Sequence, residues 1–131
     1  MITLRSEEQA IARYDRIKKM VENYEDATTN TQREKMLRLI RRSPVELHVR
    51  SGWHHLGEAY EPKNYLISLC VGGPSVRIRG DIDYTGTPRT ASLEHQDMGL
   101  SCHEGAYWRK YWRPGMSEVL LKFAQCFNFG G

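Results

Sequence analysis

No apolar run in this chain approaches the roughly 20 residues that a bilayer-spanning helix needs, so no membrane segment is expected. The opening Met1-Ile-Thr-Leu-Arg-Ser6 lacks the apolar core of a secretory signal. Cysteine is scarce, and Cys70, Cys102 and Cys126 are an odd number at irregular spacings, which excludes a disulfide framework. Cys70 sits in an apolar strand pattern and Cys126 in an apolar helix pattern, so both are expected as buried thiols. A soluble cytoplasmic protein is the expectation.

Catalytic signatures are missing too. There is no C-x-x-C, no H-x-x-x-H and no G-x-S-x-G, and Gly72-Gly73-Pro74 lacks the lysine and following helix of a phosphate loop. No catalytic residue and no cofactor is therefore assigned. A strong charge of one sign is also absent, with 19 Lys and Arg against 16 Asp and Glu, net +3. A pI of about 8.8 falls short of a dedicated nucleic-acid binder and opposes an acidic DNA mimic. All of the excess lies in residues 1–43, with ten basic and seven acidic side chains.

What is present is an ordinary globular composition, 40% apolar and 27% charged over 131 residues, which suits one domain with one core. Ser6-Glu7-Glu8-Gln9 reads as a capping box. Ala10, Tyr14, Ile17, Val21 and Tyr24 then recur at 4-3-4-3 spacing along one helix face. Thr31-x-x-Glu34 suggests a second cap, followed by the stripe Met36, Leu37, Leu39, Ile40 and a stop at Ser43-Pro44. From Val45 the period becomes two: Val45, Leu47 and Val49 alternate with Glu46, His48 and Arg50, the mark of a strand with one buried face.

A second strand over 65–71 is apolar on both sides, and Gly72-Gly73-Pro74 turns the chain. In a third strand Val76 and Ile78 point inward, opposite Arg77 and Arg79. A turn at 83–88 leads to a fourth, with Ala91 and Leu93 inward and Ser92 and Glu94 outward. Ser117 begins a last helix with the stripe Leu120, Phe123, Ala124 and Phe127. The expected fold is α+β: an N-terminal helical hairpin (1–43), a four-stranded antiparallel meander (44–98), then an irregular segment and C-terminal helix (99–131). The helices would pack on one face of the sheet, as a single domain over 1–131.

Four constellations could carry function. His54, His55, His95, Cys102 and His103, with Glu104, would make a zinc site if their loops met, though they also read as polar loop residues. Cys102-His103 are neighbours in sequence, whose side chains usually point apart, and Asp81 with Asp83 would need a partner and a cleft that the sequence does not supply. Arg33, Lys35, Arg38, Arg41 and Arg42 give one helix a basic face, suited to nucleic acid or simply to solvent. Finally Trp53, Tyr60, Tyr107, Trp108, Arg109, Tyr111 and Trp112 crowd loop-like segments with the residue types of interface hot spots. Arg77 and Arg79 would join them from the sheet face opposite the helices, where Glu94 is placed to pair with them.

The stretch from Leu69 through the Gly72-Gly73-Pro74 hairpin to Asp97 resembles a group of small bacteriophage and prophage proteins. Val45 to Trp53 and Phe123 to Gly130 resemble them as well, whereas residues 1–43 lie outside the likeness. The resemblance implies an accessory protein of a mobile element. Such a protein would act in the host cytoplasm by binding a host protein or ribonucleoprotein complex, as inhibitors of CRISPR–Cas effectors do.

Overall fold

The computed structural model describes residues 5–51, 53, 55–57, 63–71, 74–97 and 108–129. Its order is α1 (Arg5–Asp26), α2 (Asn30–Arg42), β1 (Glu46–Arg50), β2 (Asn64–Cys70), β3 (Ser75–Asp81), β4 (Ser92–Gln96), β5 (Arg109–Tyr111) and α3 (Met116–Ala124). The five strands form one antiparallel sheet in chain order, a meander. No helix among the described residues is long and apolar enough to cross a membrane.

The fold class is as expected, with one strand more. Arg109–Tyr111 pairs with β4 by setting Leu93 against Tyr111 and Glu94 against Lys110. In Trp108-Arg-Lys-Tyr-Trp112 the alternation is of aromatic and basic side chains rather than aliphatic ones. It therefore reads as a binding motif when it is also an edge strand.

α1 folds because its stripe lies on the core. Ala10, Tyr14, Ile17 and Val21 are buried, packed over β3, β4 and α3. The expected cap at Ser6 does not form. The Ser6 amide donates instead to Asp97 Oδ1 at 2.7 Å, and the buried Ser6 hydroxyl bonds His95 Nδ1 at 2.8 Å. A partner 91 residues away thus holds the first turn of α1. The α2 cap is Thr29, whose hydroxyl accepts from Gln32 N, so the signal two residues upstream of Thr31-x-x-Glu34 prevails. α2 packs mainly on α1 and buries only Ile40, leaving Leu39 exposed. It flanks the sheet instead of covering it.

Ile67, Ile78 and Leu93 line up in register beneath α1 and α3, with Tyr65, Val76, Leu120 and Phe123 completing the core. Phe127 and Phe129, beyond the end of α3, are buried too. The Phe129 ring packs on Tyr65 with centroids 5.0 Å apart. Gly80, opposite Tyr65, lets β3 run close to the neighbouring chain: a β-carbon there would stand 1.9 Å from the Thr90 carbonyl oxygen. β1 departs from expectation. Leu47 and Val49 share the face of Ile67 and Tyr65, yet all five β1 residues are exposed. The reason is position, since α1 sits over β3 and β4 and leaves the outer strand uncovered.

Candidate functional site

The face of the sheet opposite the helices is built from every second residue of the strands. Register brings Glu46, Ser68, Arg77, Glu94 and Lys110 into one row across all five strands. His48, Leu66, Arg79 and Ser92 form the next row, and Arg50, Asn64 and Asp81 a third.

Arg77 and Glu94 make the central ion pair, Nε to Oε1 at 2.8 Å, with side chains only 12% and 8% exposed. The Arg77 guanidinium also lies 3.8 Å from the Trp108 ring centroid, so one face of that indole is covered. Of the predicted partner-binding residues, the structure therefore joins Arg77 and Trp108 directly. Both are half-buried and locked, which makes them the frame of the face.

Arg79 differs. It is half-buried, and among the described residues its guanidinium has no hydrogen-bond or ion-pair partner. With His48, Arg50, Asn64 and Arg77 it lines a recess of about 250 Å³, with Leu66 among the lining residues. The acids of the face bond other groups, Glu46 to His48 at 2.9 Å, Glu94 to Arg77, and Asp81 to the Asn64 amide at 2.7 Å, and none of them forms an ion pair with Arg79. The guanidinium of Arg79 beside this recess leaves it with an excess of positive charge.

The other predicted residues lie elsewhere. Arg109 and Tyr111 alternate onto the helix side, where Tyr111 packs against the core. Trp112 and Trp53 are strongly exposed outside the strands. On α2, Arg33, Lys35, Arg38, Arg41 and Arg42 are all exposed. Arg33 and Arg41 donate to the carbonyls of Ala27 and Cys126, while Arg42 joins Arg13 and Arg16 around a second recess. Asp83 is a turn residue: its Oδ1 accepts from Thr85 and Thr87, and the Thr85 hydroxyl first of all holds its carboxyl below the usual range.

The zinc constellation is corrected at His95, which is not a loop residue but a buried member of β4 engaged by Ser6. His55 is exposed. His54, Cys102, His103, Glu104, Tyr60 and Tyr107 lie outside the described residues, as do Gly72 and Gly73. Among the described residues no three His, Cys, Asp or Glu side chains gather as metal ligands would. Cys70 and Cys126 are half-buried, not fully buried as expected, and burial pushes the Cys126 thiol up.

Ser6 and His95 resemble a nucleophile and base in distance, but exposures of 0% and 3% close the pair to any substrate. The pair tests stability instead. Burial lowers the His95 pKa, Glu7 and Asp97 oppose that, and Arg109 reinforces it. Folded His95 thus resists protonation while the unfolded chain accepts a proton below about pH 6.5. Its contribution to stability is complete above that value and falls away as pH drops toward the lowered folded value. The urea midpoint should be lower at about pH 5.5 than at about pH 7.5, and His95→Asn should flatten that slope. Parallel slopes would show that His95 does not couple folding to pH.

Compared with known proteins, the chain matches no family model, no curated protein and no solved structure.

Sequence reasoning placed Arg77, Arg79 and Glu94 on this face but missed His48, Arg50 and Leu66. Alternation in β1 already separated His48 and Arg50 from the apolar residues. The missing information was the register that sets them beside Arg79.

Proposed function

We propose that this protein is a stoichiometric binding protein that docks its uncovered sheet face onto an acidic protein surface. In the biological reading, that surface belongs to a bacterial defence complex, and the protein is a phage-encoded inhibitor of the anti-CRISPR kind. The observation that carries the docking reading is Arg79. Arg79 is half-buried at the recess and among the described residues has no ion-pair partner, so a partner carboxylate entering the recess would supply one. Leu66 supplies apolar contact at the same place, and the exposed Trp112 beyond β5 is the type of side chain that anchors interfaces. Trp108 favours a protein over single-stranded nucleic acid, because Arg77 covers one face of the ring that a base would stack on.

Affinity capture from nuclease-treated bacterial lysate should retain a host complex on the wild-type protein. Arg79→Glu should weaken that capture by at least about ten-fold, the cost of placing like charges together in an interface. Equal capture by the variant would overturn the assignment of this face. Expression in a strain with an active CRISPR–Cas system should raise the plating efficiency of a targeted phage. Unchanged plating would sink the inhibitor reading while leaving the docking face standing.

A second reading, nucleic-acid binding through the first two helices, is favoured by the grouping of Arg13, Arg16 and Arg42 around one recess of about 480 Å³. It requires binding that falls steeply with salt and is lost in Arg16→Glu/Arg42→Glu.

A further inference from the structure

β1 is open in three directions. Both of its faces are exposed, and among the described residues it has a strand neighbour on one side only. Val45, Leu47 and Val49 are 55%, 46% and 46% exposed. An edge strand meant to stay single is usually blunted by proline, a bulge or an inward-pointing charge. β5, at the other edge, is three residues long and carries Arg109 and Lys110. Glu46-Leu-His-Val-Arg50 has no such guard on its apolar face.

The same five residues complement themselves. Pair two copies antiparallel about a two-fold axis at His48, and Glu46 of each copy stands across from Arg50 of the other. Leu47 then stands across from Val49 on the helix side, and His48 faces its own copy. Slipping by one residue would put charged side chains against the apolar ones. Slipping by two toward the N-terminus would set Arg50 against Pro44, which has no amide proton to offer.

We propose that β1 is a homodimer interface, in which a second copy of this chain adds its own β1 to make one continuous ten-stranded sheet. Within one chain Glu46 holds only the exposed His48, so it is free to exchange that contact for Arg50 of the second copy. The axis runs perpendicular to the sheet, which turns both uncovered faces the same way. Five strand spacings then separate the two β3 strands, about 24 Å between one Arg79 and the other. The dimer rests on residues other than Arg79, so it stands or falls apart from the docking reading.

Sedimentation velocity of the full chain across micromolar concentrations should show a reversible shift from 15.2 kDa toward twice that mass. Glu46→Arg and Arg50→Glu each set two like-charge pairs across the axis and should raise the dissociation constant at least about ten-fold. The double variant Glu46→Arg/Arg50→Glu restores both pairs with signs exchanged and should recover dimerisation. Both residues changed are exposed, and unaltered thermal melts will separate association from folding. A monomer at every concentration would overturn the proposal. A dimer indifferent to the single variants, or not rescued by the double one, would place the interface elsewhere.

Discussion

Gly80→Ala is expected to destabilise the fold by about 3 kcal/mol or more, lowering the melting temperature by roughly 10 °C. The new β-carbon would stand 1.9 Å from the Thr90 carbonyl oxygen, 2.7 Å from its carbon and 2.8 Å from Tyr65 Cε1. Two of these atoms are backbone, so no rotamer change can relieve the clash. Thr90 must move, and it accepts the 2.6 Å hydrogen bond from the Tyr65 hydroxyl. Displacing it breaks that bond and lifts the Tyr65 ring that Phe129 packs on. Gly57→Ala is the control: its φ of 89° costs some backbone strain, but a β-carbon there meets nothing within 4 Å. That variant should lose only about 1 kcal/mol. Urea titration compares the two, and equal effects would mean that close packing at Gly80 is not what restricts the position.

Glu94→Gln should have the second large effect, about 3 kcal/mol. Stripping one partner from a buried ion pair leaves a charge without compensation, and the measured cost of doing so is roughly 3–5 kcal/mol. Arg77 retains the Trp108 ring and borders the recess, where water can reach it, which puts the expected loss at the low end. The Lys122–Glu25 pair is the natural comparison. At 3.0 Å it is nearly as short, but its side chains are 53% and 48% exposed. Solvent screens it, and Glu25→Gln should change stability by no more than about 0.5 kcal/mol. If chemical denaturation ranks the two variants equally, the Arg77–Glu94 pair is not holding the middle of the sheet.

Much of this architecture could be read from spacing alone, and the failures share one cause. The stripe of α1 was legible because Ala10, Tyr14, Ile17 and Val21 recur at helical intervals and all meet one core. Strands β3 and β4 were legible because Val76, Ile78 and Leu93 alternate with charged or polar neighbours. Joined with a meander, that alternation also brought Arg77 and Glu94 together. In β1 the same alternation misled: it shows that a strand has an apolar face, not that anything covers it. Ser6 misled similarly, since a capping box is a local pattern and its amide is satisfied by Asp97 at the far end of the sheet. The recess around Arg79 needs three strands in register, which no single stretch of sequence contains. Each miss is a property of how elements meet.

The tie between Ser6 and Asp97 bears on the order in which the chain assembles during synthesis. α1 precedes β3, β4 and α3 in the chain, and of the elements it packs on only α2 directly follows it. The part of the α1 apolar stripe that meets the sheet therefore stays uncovered while the meander grows by adding each strand to the one before, a sequence of loop closures between consecutive strands. Only after Asp97 has emerged can the first turn of α1 be fastened, and only after α3 can the core close. α1 can therefore pair with α2 early, but it cannot be fastened across the sheet until the strands beneath it have been made.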